Sequence, residues 1–166
     1  MTGGVTGHRH FQSADAEAWA KGTLAKTVLD NDIDYGFTCL AEGADQMFAE
    51  IMADLSVPYT VIIPCDNYEA TFTEKQGVER FIRLVKASRH TTRLAFPSPS
   101  DEAFLSASRR LVDSVSVLFA VWDGEPSRGT GGTADVIQYA VECGKHVIHV
   151  NPVARIVSDW AVRDHP

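Results

Sequence analysis

The residues best placed to do chemistry lie between Val121 and Ala134, where the chain reads Trp122-Asp123-Gly124-Glu125-Pro126-Ser127-Arg128-Gly129-Thr130-Gly131-Gly132-Thr133. Gly129, Gly131 and Gly132 carry no Cβ, so their backbone N–H groups can come close to a ligand. Thr133 adds a hydroxyl where a helix from Ala134 to Cys143 is expected to start. The open N–H groups and positive dipole end of such a helix favour a phosphate or another anion. Arg128 stands inside this loop and can swing onto a phosphate, against remaining solvated. Trp122 offers a face for stacking a base, against the commoner role of packing in the core. Asp123 suits a ribose hydroxyl or a general base, against ordering the turn at Gly124. The spacing is neither that of the dinucleotide fingerprint nor that of the lysine-bearing phosphate loop.

Two further loops carry polar residues at strand ends. In Gly7-His8-Arg9-His10, Arg9 and His8 are expected to touch phosphate or ribose, with a surface ion pair and loop packing as the plainer roles. In Glu42-Gly43-Ala44-Asp45, Glu42 can accept sugar hydroxyls, and Asp45 either caps its own helix or does the same.

These loops need a frame, and the hydropathy pattern supplies it. Strands are predicted at Val5–Gly7, Tyr35–Leu40, Pro58–Ile63, Thr92–Ala95, Val115–Val121 and His146–Val150. Helical periodicity falls between them. One helix is capped by Asp15 and carries Trp19, Leu24 and Val28; another carries Met47, Phe48, Ile51 and Met52. A third carries Val78, Phe81, Ile82 and Val85, and a fourth runs from Glu102 to Asp113, capped by Ser100 or Asp101. Cys65 to Thr73 reads as loop, and the tail from Asn151 to Pro166 shows no pattern. This alternation predicts an α/β, Rossmann-like parallel sheet with helices on both faces, in one domain over residues 1–166 with its core at about 5–150. Ligands of such sheets sit beyond the carboxyl ends of the strands, where the three loops converge.

The composition narrows the field. A net charge of −7 disfavours a nucleic-acid partner, and no apolar run is long enough to span a bilayer. Cys39, Cys65 and Cys143 are spaced for neither a disulfide framework nor zinc, and the histidines show no ligand spacing beyond His8-x-His10. No signal peptide opens the chain, so a cytoplasmic protein is expected, and none of the functional readings requires a metal or cofactor.

Together the three loops resemble the SLOG superfamily, which groups the DNA-processing A proteins, the Lonely Guy phosphoribohydrolases and sensor domains of nucleotide signalling. Val5-Thr6-Gly7-His8-Arg9 is similar to the opening strand and loop of its small, stand-alone bacterial members. Glu42-Gly43-Ala44-Asp45 resembles its Gly-x-Asp element, and Gly131-Gly132-Thr133 its glycine–threonine phosphate loop. The resemblance implies a homodimer and a phosphorylated nucleoside or ADP-ribose-like ligand, held for sensing or carriage. The phosphoribohydrolases place a catalytic Glu three residues after the threonine of that loop; here the position is Val136. An N-glycosidic hydrolase therefore needs Asp123 or Asp135 as its carboxylate, and is the second reading. A DNA-processing accessory role is the third.

Overall fold

The computed structural model describes residues 1–126 and 132–160. Strands β1 (Thr2–Gly7), β2 (Tyr35–Thr38), β3 (Tyr59–Ile63), β4 (His90–Arg93), β5 (Val117–Val121), β6 (His146–Asn151) and β7 (Ile156–Trp160) form one sheet in the order β4-β3-β2-β1-β5-β6-β7. The first six run parallel, and β7 pairs antiparallel with β6. Strand order reverses at β1, with β2 on one side and β5 on the other. The crevice beyond the ends of β1 and β5 is thus the switch point of the sheet.

Helices α1 (Ala14–Asp30), α2 (Ala44–Asp54), α3 (Lys75–Ala87), α4 (Asp101–Ser114) and α5 (Thr133–Glu142) cover both faces, as the alternating pattern predicts. The two faces read directly from β5, buried along its whole length. Val117, Phe119 and Val121 join the core under α1, α2 and α3, while Leu118 and Ala120 join the core under α4 and α5. Successive strand residues point to opposite faces, so a strand covered twice must be apolar throughout. Glu50 of α2 ties the first layer together, pairing with Lys21 of α1 and with Arg80 and Arg83 of α3.

Caps and boundaries differ from the sequence expectation in instructive ways. Ser13, not Asp15, caps α1, its Oγ accepting the Ala16 N–H at 3.1 Å; Asp15 lies in the first turn. Ser100 caps α4 in the same way through the Ala103 N–H. Strand β1 begins at Thr2, because Gly3 and Gly4 are strand residues whose missing side chains admit Ile33, Phe119, Leu111 and Val115. The fourth strand lies at His90–Arg93, two residues earlier than its pattern suggests. The tail is not featureless: the Asn151 side chain accepts the N–H groups of Val153 and Ala154, and the resulting turn returns the chain as β7. That strand has little burial and no apolar alternation, so it leaves no periodic trace in the sequence.

Gly43 sits at φ +84°, and a Cβ there would lie 2.3 Å from the His8 carbonyl oxygen and 2.4 Å from that of Arg9. Gly43→Ala is expected to lower stability by about 1–3 kcal/mol from backbone strain alone, more with the clash. Urea unfolding should show a lower midpoint; an unchanged midpoint would mean that α2 can retreat from the first loop.

Candidate functional site

The end of β1 is fixed before any ligand arrives. The His8 N–H donates to the Val121 carbonyl at 3.0 Å, and the Ala44 N–H donates to the His8 carbonyl at 3.0 Å. The first loop is thereby laced to the end of β5 and to the start of α2. A cavity of about 480 Å³ opens above this junction. Gly7, His8, Arg9, Asp45, Gly132 and Thr133 line it, as the sequence predicts for a common pocket.

Arg9 is the cation lining this cavity among the described residues. Its Nη1 donates to the Thr71 carbonyl at 3.2 Å and to the Thr71 hydroxyl at 3.4 Å, which holds the guanidinium in place. Asp45 is 8% exposed and its carboxylate accepts the Ala41 N–H at 3.3 Å. Burial dominates its titration and raises it to about 7, against the opposing pull of the Ala41 N–H, Arg9 and the Cys39 backbone. Arg9 and Asp45 thus make a cation and a carboxyl of adjustable charge in one half-closed space.

A second cavity of about 400 Å³ lies on the other side of His8, Gly132 and Thr133, which line both. Trp122 and Asp123 line this second space and not the first. The Trp122 ring also packs against His149, with centroids 5.4 Å apart, and its carbonyl contacts His149 Nε2 at 2.8 Å. Asp123 accepts the Glu125 N–H at 3.0 Å and lies 3.2 Å from His8 Nε2. Partial burial pulls its pKa up, but the Glu125 N–H and His8 outweigh that and leave it below the usual range. Asp123 both orders the turn at Gly124 and faces the second cavity.

The structure separates other candidates from the main cavity. Glu42 is 6% exposed, and its carboxylate accepts the N–H groups of Thr73 and Glu74 and the Thr73 hydroxyl. Burial raises its pKa and these donors lower it further than burial raises it, so Glu42 is an ionised clamp on the turn before α3. Gly43 sets the approach of α2 and does not line the main cavity. Asp135 is exposed on α5 and lines neither large cavity, whereas Val136 is buried and faces the first. Arg128, Gly129 and Gly131 lie outside the described residues.

Sequence reasoning missed Tyr68, Cys39, Phe104 and Ser108, all of which line the main cavity. Tyr68 belongs to a short 3₁₀ turn, Tyr68–Thr71, inside the segment read as loop, and it packs edge-on against Phe72 and Phe81. An aromatic inside a polar, aperiodic segment was the one available signal. Burial holds the Cys39 thiol well above its ordinary pKa, with Asp45 adding to the effect, so Cys39 is a protonated wall residue and not a thiolate nucleophile.

No protein-family model matches the chain, and no curated protein matches it in sequence. Solved structures do match. DNA processing protein A from Streptococcus pneumoniae superposes with a TM-score of 0.64 at 16% identity, covering 89% of this chain and 49% of that one. Its counterpart from Helicobacter pylori, described for a single-stranded DNA binding mode, gives 0.63 at 16% identity over 90% of this chain and 64% of that one. The Moco carrier protein from Chlamydomonas reinhardtii gives 0.55 at 16% identity over 89% and 74%. This chain therefore spans about half the length of the pneumococcal protein. It has a Rossmann-like α/β fold, shared with proteins described as processing DNA, binding single-stranded DNA or carrying Moco. The expectation, drawn from the net charge of −7, that a nucleic-acid partner is unlikely does not stand, because the same fold serves a single-strand binder. Net charge describes a whole surface and not the field inside one cleft. Among the described residues no helix is long and apolar enough to cross a membrane.

The Asp45 carboxyl titrates near 3.8 when unperturbed and near 7 in the fold, so the folded protein holds this proton more tightly than the unfolded chain. Its contribution to stability is complete below pH 3.8 and lost as pH rises through about 7. Asp45→Asn removes the buried charge and keeps an acceptor for the Ala41 N–H. The variant is expected to melt at least about 2–4 °C above the natural protein at pH 8, the shift that ~1 kcal/mol makes in a domain of this size, with a smaller difference at pH 5. Thermal melts at the two pH values check this; equal differences at both would show that Asp45 does not titrate between them.

Proposed function

We propose that the chain binds a phosphorylated, nucleotide-type ligand at the switch point of its sheet, as a sensor or carrier. One observation supports this above the rest: a single cavity of about 480 Å³ is lined by the anchored guanidinium of Arg9 and by Gly132 and Thr133 at the start of α5. Arg9 offers charge-assisted donors, and the first turn of α5 offers backbone N–H groups that its cap residue, Gly132, has no side chain to satisfy. The cavity is also lined by the apolar side chains of Val5, Phe104, Ala107 and Leu111, which suit a flat ring. Asp45 and Ser108 are placed for hydroxyl contacts. A binding role fits Val136, which presents hydrocarbon at the position where the similar phosphoribohydrolases carry their carboxylate.

Phosphate is expected to supply much of the affinity. Adenosine monophosphate should bind at least about tenfold more tightly than adenosine, since a hydrogen bond to a charged group contributes about 1.5–3 kcal/mol. Arg9→Ala should erase most of that difference. Titration calorimetry of the two ligands against both proteins measures it, and equal affinities for nucleoside and nucleotide would sink the reading.

The second reading is single-stranded DNA binding through the same cavity, favoured by the shared fold with the Helicobacter pylori protein. A labelled oligothymidylate followed by anisotropy separates the two. Displacement of the strand by adenosine monophosphate, and loss of strand affinity in Arg9→Ala, would place the strand in this cavity.

A further inference from the structure

The two large cavities share one wall, and that wall holds the groups suited to a phosphate. His8, Gly132 and Thr133 line both spaces. On one side lie the apolar side chains described above, with Arg9 and Asp45. On the other lie Phe11 and Trp122, which offer ring faces, and Asp123 and Glu125, which offer hydroxyl acceptors. No lysine or arginine lines the second space among the described residues. Its two carboxylates and two ring faces suit an uncharged ring or sugar. Each cavity, at about 480 and 400 Å³, falls in the lower half of the ~300–1,000 Å³ range of ligand pockets.

Resting on the reading that the first cavity takes a nucleotide, we propose that the site binds a ligand of two ring-bearing units joined through phosphate, one unit in each cavity and the bridge against His8, Gly132 and Thr133. Adenosine monophosphate fills only the first half. The second unit then contributes through Phe11 and Trp122 by ring contact and through Asp123 and Glu125 by accepting hydroxyls. This chemistry has two sources: a free molecule bridged by pyrophosphate, or two successive nucleotides of a strand bridged by phosphodiester.

The probes are adenosine monophosphate, ADP-ribose and 5′-phosphorylated dithymidylate, titrated by calorimetry against the natural protein and Val153→Trp. Val153 is a half-exposed wall residue of the second cavity, 49% exposed, so a larger side chain there fills the space at small cost to folding. At least one bridged probe is expected to bind tenfold or more tightly than adenosine monophosphate, and Val153→Trp should cut that advantage to threefold or less. The bridged probe should also shift the amide resonances of Phe11 and Ala134, and adenosine monophosphate should leave Phe11 unmoved. A preference for ADP-ribose identifies the free molecule, and a preference for dithymidylate identifies the strand. If adenosine monophosphate binds and neither bridged probe gains, the second cavity is no subsite and the proposal falls while the nucleotide reading stands. If no probe binds, both fall.

Discussion

The site depends on how tightly the end of β1 is pressed between β5 and α2. A Cβ on Gly7 would lie 2.4 Å from the Val121 carbonyl oxygen and 2.7 Å from the Ala44 side chain, so no other residue fits without moving a strand or a helix. The same closeness lets the His8 N–H reach Val121 and the His8 carbonyl reach Ala44. His8 and Arg9 are consequently displayed from a rigid corner, and the start of α2 is locked beside them. Gly43 completes the corner from the other side, since its positive φ and absent Cβ allow the two loops to meet. A glycine in this neighbourhood acts first on packing, and the cavity is the space that such packing leaves.

The sequence shows this frame well where burial is two-sided or periodic. The uninterrupted run Val117–Val121 announces a covered strand, and each of its residues is buried. The loops at Gly7–Arg9 and Asp123–Thr133 are visible as strand ends rich in glycine and polar residues. Gly7, His8 and Arg9 of the first, and Asp123, Gly132 and Thr133 among the described residues of the second, line the cavities at the switch point. The roles of the acidic residues are less legible, because Asp and Glu at strand ends serve folding and binding alike. Glu42 and Asp45 are neighbours in sequence with opposite fates. Glu42 meets four donor contacts from Thr73 and Glu74 and stays ionised, which Gly77 permits because a Cβ there would lie 2.4 Å from Glu42 Oε1. Asp45 meets few donors in a dry setting and is pushed toward neutrality. Nothing local in the chain distinguishes them, since the donors to Glu42 come from residues 31 and 32 positions away. Strand β7 and the Tyr68 turn were hidden for a different reason. Neither repeats an apolar period, and each is held by tertiary contacts and not by its own pattern.

Charge operates at two scales in this molecule. Summed over the chain it is −7, and that sum led the sequence reading away from nucleic acid. In the main cavity, among the described residues, the balance is local: one guanidinium, one carboxyl that titrates near neutrality, and the N-terminal end of α5. With Asp45 protonated, this corner is net positive. With Asp45 ionised, the carboxylate offsets Arg9. A cleft of a few hundred cubic ångströms with low-dielectric walls responds to those groups far more than to distant surface acids. An acidic protein and an anion-binding cleft are therefore compatible, as the local geometry makes plain.

The same balance couples any anion in the cavity to a proton. Arg9 lowers the Asp45 pKa, and burial raises it by more. A phosphate held by Arg9 would add negative charge beside Asp45 and spend the guanidinium on a second partner. Both changes favour the protonated carboxyl. Tyr68 and Cys39, the other titratable groups whose charges couple to Asp45 inside the fold, are held as neutral acids, the Tyr68 hydroxyl and Cys39 thiol both pushed upward by burial first and by Asp45 next. They therefore cannot take over the proton's role near neutral pH. Asp45 is left as the group whose protonation would adjust to a bound anion, and by linkage its own contribution to anion affinity would fall as the pH rises through the range in which Asp45 ionises.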